Sequence, residues 1–228
     1  ISPFLEIVDA ELSERGENRL TYFEAVTILA FAIFAEVPVD VVVLEVGLGG
    51  ITDATNVADA DVSVFTPISL DHTDLLGDTT ELIAQEKVGI LKPGGYLVSS
   101  TQPTDAADVL LARARELEVP AAFDTLDFKL LERKSGVGGQ LLSIQGQAGR
   151  YEEIFLPLFG AHQAQNATVA LAAVEAFLGG GQRELNADLV RQGFAATSSP
   201  GRLELVRSAP SILVDAGHNP EGIRVSAE

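Results

Sequence analysis

With 228 residues, 46% of them hydrophobic and 21% charged, the chain carries enough apolar material for a sizeable core and lacks the composition of a disordered segment. Thirty-three acidic against fifteen basic residues give a formal net charge of −18, which argues against nucleic acid and against an anionic membrane surface as partners. The absence of cysteine excludes disulfides and thiolate metal sites, and it is compatible with a reducing cytoplasmic setting.

No signal peptide is expected, because Ile1-Ser2-Pro3 lacks a basic segment followed by an apolar run. The longest apolar stretch, residues 25–39, is interrupted by Thr27 and Glu36 and is too short to span a bilayer. The expectation is a soluble cytoplasmic protein without membrane or nucleic-acid partners. A start at Ile1, the lack of any methionine and a stop at Glu228, partway through a predicted helix, lead us to expect a piece of a longer polypeptide.

In chain order, apolar residues over 20–34 recur at helical intervals and then run nearly all round, which predicts a buried helix. Residues 40–46 (DVVVLEV) form a β-branched run leading into glycines and predict a central parallel strand; residues 61–68 (DVSVFTPI) predict another. Thr79 is placed to cap a helix reaching about Leu91 and stopped by Pro93-Gly94-Gly95. A strand over 96–99, a helix over 105–117 and a strand over 121–123 follow. This alternation implies a mostly parallel sheet with flanking helices. Residues 128–133, 139–145 and 152–158 predict short strands of a small antiparallel meander. A helix over about 163–177 ends at Gly179-Gly180-Gly181, and a shorter one covers about 187–195. Ser198-Ser199-Pro200-Gly201 reads as a junction, so residues 1–197 are expected as one domain and 198–228 as a linker and the start of a second α/β domain. There, residues 203–206 and 212–214 predict strands, and a helix is expected to open near Pro220.

Ligands of open parallel sheets collect beyond the carboxyl ends of the strands. Glu45 closes one predicted strand, His72 lies 27 residues further on just past the next, and Lys87 follows after 15 more. A carboxylate and an imidazole so placed can share a metal ion, with the lysine turned to the same spot, a combination suited to phosphoryl chemistry on ATP. Read singly, Glu45 is equally a strand-end carboxylate paired with lysine, and Lys87 an ordinary partner in a helix ion pair. Glycines 47, 49 and 50 tilt Glu45 towards a ligand role by allowing close backbone approach. The three histidines, His72, His162 and His218, stand in turn-like sequence, and no two share the spacing of a zinc site. Asn166 reads as a helix cap or first-turn amide. Arg202 is either a surface arginine or a bidentate phosphate ligand. Asp215 and His218 precede a helix start, a natural place for nucleotide groups.

Taken together, TYFEAVTILAF (21–31), EVGLGGITDATN (45–56), ISLDHTDLLGDT (68–79), IAQEKVGILKPG (83–94), LPLFGAHQAQNA (156–167), GRLE (201–204) and DAGHNP (215–220) resemble the folylpolyglutamate synthase and dihydrofolate synthase family of the Mur ligase superfamily. They occur in the family's order and cover most of the chain. The resemblance implies the central ATPase domain of a Mur-type ligase and an ADP-forming enzyme that joins glutamate to a folate through an acyl phosphate. It also implies, as a second activity, conversion of dihydropteroate to dihydrofolate. By that likeness Glu45 and His72 would bind Mg2+, and Lys87 would be carbamylated and act in catalysis with His72. Asn166 would meet the adenine of ATP, Arg202 the phosphates, and Asp215 and His218 the ribose–phosphate region, while Asp53 would contact the folate. A monomer is the family expectation. A Mur-type cell-wall precursor ligase and a non-catalytic nucleotide-binding relative are the competing readings.

Three departures from the family pattern stand out. No GxxxxGK[ST] phosphate loop occurs in the chain, and Ile1-Ser2-Pro3-Phe4 resembles the segment that follows that loop, which is therefore expected upstream. Residues 5–24 are shorter than the family's corresponding stretch. Ile51 stands where the family usually has arginine, which removes a fixed positive charge near Asp53.

Overall fold

The computed structural model describes residues 2–37, 39–217 and 223. It opens on α1 (Ser2–Glu14), which the sequence reading did not anticipate, and α2 (Tyr22–Glu36). Thr21 and Glu24 close a reciprocal capping box at the start of α2, satisfying amide donors that the first helical turn leaves open. The expectation that α2 is buried needs correcting: only Thr27 is buried, and Tyr22, Val26, Ile33 and Phe34 lie exposed. Among the described residues α2 leans on the 3-10 turn Ala54–Val57, and the Phe23 ring lies against Gly47.

Residues 40–46 are likewise not a strand. Val41, Val42 and Val43 are exposed, because β-propensity alone makes no strand and no described strand lies alongside to complete the ladder. Glu45 therefore sits on an exposed segment outside any strand instead of at a strand end.

The parallel sheet comprises β1 (Val62–Phe65), β2 (Tyr96–Ser99) and β3 (Ala121–Phe123) in that order. Val62 is paired with Tyr96, and Leu97 with Ala121. Between β1 and β2 come the short α3 (Thr73–Leu76) and α4 (Thr80–Lys87), whose cap is Thr79. A 3-10 turn, Val88–Ile90, continues α4 to Leu91. Helix α5 (Thr104–Glu116) buries Ala106, Leu110 and Ala114, one stripe at a spacing of four residues. With Phe65, Val88, Leu91 and Leu97 this stripe builds the core on one face of the sheet.

Alternate residues of β2 face opposite ways, so Val98 joins Ala122 and Phe128 in a second core on the other face. There they meet Val169, Ala172 and Ala176 of α6 (Ala161–Gly179). The meander of β4 (Lys129–Gly136), β5 (Gly139–Gln145) and β6 (Arg150–Leu156) packs Leu142, Ile144, Ile154 and Leu156 against Ala164, Ala167 and Leu171 of the same helix. Helix α6 is thus apolar nearly all round because two sheets cover it. Helix α7 (Ala187–Ala195) adds Val190 and Phe194 to this core, and the hairpin β7 (Glu204–Ser208) and β8 (Ser211–Val214) follows. The expected helix near Pro220 lies outside the described residues. No described helix is long and apolar enough to cross a membrane.

Candidate active site

The segments carrying Glu45, His72 and Lys87 are packed together by the glycine loop between the first two. Ile51 N–H donates to Glu86 O at 3.1 Å, at the carboxyl end of α4. A Cβ at Gly50 would lie 2.6 Å from the carbonyl oxygens of both Glu86 and Lys87, so only glycine permits this approach. Leu76 of α3 reaches over Gly49, and His72 caps that same helix. Asn56 Nδ2 bridges Ile51 O (3.0 Å) and Gly89 O (3.3 Å), closing the loop on the far side.

Asp53 is the clasp of this loop. Its Oδ2 accepts the N–H groups of Gly47 (3.0 Å) and Leu48 (2.9 Å), while Oδ1 accepts Thr55 N–H (2.9 Å) and the Thr55 hydroxyl (2.6 Å). Burial alone would raise its pKa, but the Thr55 hydroxyl and the N–H groups of Leu48, Thr55 and Gly47 outweigh it and hold the carboxyl below the ordinary aspartate value. Its contribution to stability is therefore complete above the unfolded value of 3.8 and fades as pH falls through the lower folded value. Asp53→Asn should remove that part of the acid-unfolding profile and loosen the loop, read as faster amide exchange at Gly47 and Leu48. Unchanged exchange in the variant would count against the clasp.

Glu45 is exposed, and among the described residues its carboxylate makes no hydrogen bond or ion pair. His72 takes a left-handed backbone (φ 49°), donates its N–H to Asp71 Oδ1 at 2.9 Å and holds Nε2 3.9 Å from the same oxygen. A left-handed non-glycine residue stores strain of about 1–2 kcal/mol, the kind of outlier that accompanies functional positions. Lys87, half-buried, ends α4 and makes no ion pair among the described residues, so the plain helix-pair alternative is not what the structure holds. These same residues gather no group of three His, Asp or Glu side chains around a metal position. Mg2+ keeps several waters and commonly takes one or two protein ligands plus substrate phosphates. An exposed carboxylate at Glu45 and an exposed imidazole at His72 are donors of the kind such a sparse site uses.

The nucleotide-side candidates gather around the start of α6. Asn166 lies in the second turn and is not a cap; its Nδ2 donates to Gln163 Oε1 at 3.4 Å and its side chain faces outward. Arg202 lines an open cleft of about 290 Å3 with Pro157, Phe159 and Ser198. Asp215 accepts Leu203 N–H on Oδ2 (2.9 Å) and Gly217 N–H on Oδ1 (2.6 Å), folding the post-β8 turn onto residue 203. His218 lies outside the described residues.

Some residues that build this rim were missed by the sequence reading. Gln102 Oε1 accepts Ile68 N–H (2.8 Å) and its Nε2 donates to Thr66 O (2.9 Å), tying the ends of β1 and β2. Asp124, just past β3, accepts the Thr101 hydroxyl (2.8 Å) and Gln165 Nε2, which anchors the start of α6 to the carboxyl edge of the sheet. His162 stands there too. Burial pushes its imidazole pKa below the usual histidine value; Asp215 opposes that, while Arg133 and Arg202 add to it. A histidine beside polar neighbours at a helix start was visible in GAHQAQN, but nothing local gave it a partner.

A parallel sheet flanked by helices, with a small antiparallel meander on the far side of α6, is the architecture of a Mur ligase middle domain. The chain belongs to the Mur ligase middle domain family, whose model matches residues 4–174. It is 47% identical over 238 residues to the dihydrofolate synthase/folylpolyglutamate synthase of Mycobacterium tuberculosis, with 100% of this chain and 49% of that protein covered. The crystal structure of the Mycobacterium tuberculosis folylpolyglutamate synthase complexed with ADP and AMPPCP superposes with a TM-score of 0.92 at 46% identity, covering 99% of this chain and 51% of that one. An FPGS–AMPPCP–folate complex gives a TM-score of 0.88 at 36% identity, covering 95% and 53%. The chain thus spans about half the length of the curated relatives it matches.

Proposed function

We propose that this chain supplies the ATP-binding and phosphoryl-transfer half of a folylpolyglutamate synthase that also makes dihydrofolate. The reading is supported by the docking of the glycine loop onto the end of α4, which brings the segment following Glu45 against that of Lys87. Residues 1–197 are the central domain in this account, and 198–228 lead into the glutamate-side domain. The substrates are ATP, a folate and glutamate.

A folate carboxylate attacks the γ-phosphorus of ATP, releasing ADP and leaving an acyl phosphate. The amine of glutamate then attacks the acyl carbon and phosphate departs with one former carboxylate oxygen. No side chain need act as nucleophile, so the chain's task is placement and charge compensation. Glu45 and His72 would hold Mg2+, which when bound neutralises charge on the transferred phosphoryl group. Lys87, converted by CO2 to a carbamate, would present a carboxylate at the same rim. Asn166 faces the adenine and Arg202 the phosphates, with Asp215 and His218 at the ribose–phosphate region. Asp53, by clasping residues 47–55, shapes the surface offered to the folate.

The test is turnover of the full-length polypeptide with ATP, glutamate and tetrahydrofolate or dihydropteroate, read as ADP released per glutamate incorporated. One ADP per amide bond is expected; ADP release without incorporation, or no turnover, would overturn the reading. Arg202→Ala should raise the apparent KM for ATP about 10-fold or more, as loss of a charge-assisted phosphate contact does, and leave that for glutamate nearly unchanged. Equal effects on both substrates would count against its assignment.

A further inference from the structure

The tether between Asp124 and α6 lies one residue from the side chain that faces the adenine in the account above. Asp124 is a buried carboxylate just past β3, at the carboxyl edge of the sheet. Its backbone N–H donates to Ser99 O at 2.9 Å, which fixes it beside the end of β2. Its Oδ2 accepts the Thr101 hydroxyl at 2.8 Å and also Gln165 Nε2 of α6. A carboxylate acceptor makes these hydrogen bonds the stronger kind.

Helix α6 needs such a hold, because it opens on Gly160, which gives no side-chain cap. Its first turns are tethered instead by two different sheets. Gln140 Nε2 of β5 donates to Gly160 O at 3.0 Å, and Gln165 reaches across to Asp124. Asn166 comes next, about 100° further round the helix and exposed. Its Nδ2 meets Gln163 Oε1 at a long 3.4 Å, too weak a contact to aim the amide by itself. The helical turn therefore sets that aim, and Asp124 holds the turn.

A side-chain amide can pair at once with the amino group and the adjacent ring nitrogen of adenine. An oxo group in place of the amino group leaves two acceptors, which the same fixed amide cannot both satisfy. We propose that Asp124 is a positioning residue that acts through Gln165 on Asn166 and thereby sets the preference for adenine over a 6-oxopurine. The proposal rests on the adenine reading of Asn166.

The experiment is calorimetric binding of ADP and inosine diphosphate to the full-length polypeptide, in wild type and in Asp124→Ala, Gln165→Leu, Asn166→Ala and Gln102→Leu. Wild type should prefer ADP by about 10-fold, the worth of one hydrogen bond, and Asn166→Ala should lose most of that preference. Asp124→Ala and Gln165→Leu should also lose most of it, by weakening ADP while leaving inosine diphosphate nearly unchanged. The two replacements approach the tether from opposite ends, in case the buried aspartate is needed for folding. Gln165→Leu combined with Asn166→Ala should bind ADP no more weakly than Asn166→Ala alone, because both remove the same contact. Gln102→Leu cuts the tie between the ends of β1 and β2 at the same edge and should keep the preference. Wild-type preference in a folded Asp124 or Gln165 variant, or an equal loss for both nucleotides, would overturn the proposal. Loss of the preference in Gln102→Leu would trace it to the edge as a whole and overturn the assignment to Asp124. If Asn166→Ala alone removes the preference, the adenine reading stands and the positioning role falls. A wild type that binds both nucleotides alike, or neither, would remove both.

Discussion

Lys87→Ala is expected to lower ligase turnover by about 100-fold or more, the scale seen when a pre-placed electrostatic group is removed from a reacting site, and to regain part of it in added formate or acetate. The rescue is the informative half. A lysine acting through its positive charge would not be replaced by a small carboxylate, whereas a carbamate would. Alanine is well tolerated at the end of α4, and the contacts that bind the glycine loop there come from backbone atoms of Glu86 and Lys87, so the fold should persist. Glu45→Ala and His72→Ala should show comparable losses, since each removes a proposed Mg2+ contact from an exposed position, and the loss of the His72 imidazole should not be rescued by carboxylates. Wild-type turnover in Lys87→Ala would end the carbamate assignment, and unchanged turnover in both other variants would end the metal assignment.

The second large effect is on stability. Glu175 is fully buried in α6, and its oxygens accept Gln147 N–H (2.6 Å), Ala148 N–H (3.3 Å) and the Tyr151 hydroxyl (2.8 Å). The Tyr151 oxygen in turn accepts Leu185 N–H at 2.8 Å, so one carboxylate ties together the β5–β6 turn, the α6–α7 connection and the meander core. Glu175→Ala would strand three donors at once, with an expected cost of about 3 kcal/mol and a fall in Tm of roughly 10 °C for a chain of this size. Burial, reinforced by the Glu175 carboxylate and offset by the Leu185 N–H, pushes the Tyr151 hydroxyl up to about 12. The stabilisation from that shift is present below pH 10, the unfolded value, and is lost as pH rises towards 12; because the carboxylate causes part of the shift, the stability of the variant should fall less steeply over that range than that of wild type. Urea denaturation measures both effects. A midpoint within experimental error of wild type would show that the turn does not depend on Glu175.

Where elements are bounded by local chemistry, the sequence was a good guide. Residues 96–99, 121–123, 139–145 and 187–195 have the ends that their glycines, prolines and caps predict. The two misjudged segments depend on what lies beside them. Residues 40–46 have the composition of a strand, but pairing is not a property of a segment by itself, and α2 has the composition of a buried helix without a described layer over it. Helix α1 could have been found: Leu5, Val8 and Leu12 form a half-buried stripe at helical spacing.

The site divides in the same way. Glu45, His72 and Lys87 could be proposed because they sit in short, distinctive runs, and DATN was visible as a motif although not as a clasp. Asp124 with Gln165, 41 residues apart, and Gln140 with Gly160, 20 residues apart, were not legible, because each side chain gains its meaning only from a contact made by folding. Glu175 did leave a signal, a single carboxylate in the apolar run ALAAVEAFLG, which demands buried donors somewhere.

The most direct test of phosphoryl transfer to a carboxylate is to supply the full-length polypeptide with a folate whose reacting carboxylate carries 18O, together with ATP and glutamate. The account predicts one labelled oxygen in the phosphate released for each amide bond formed. Amide formation with unlabelled phosphate would contradict it.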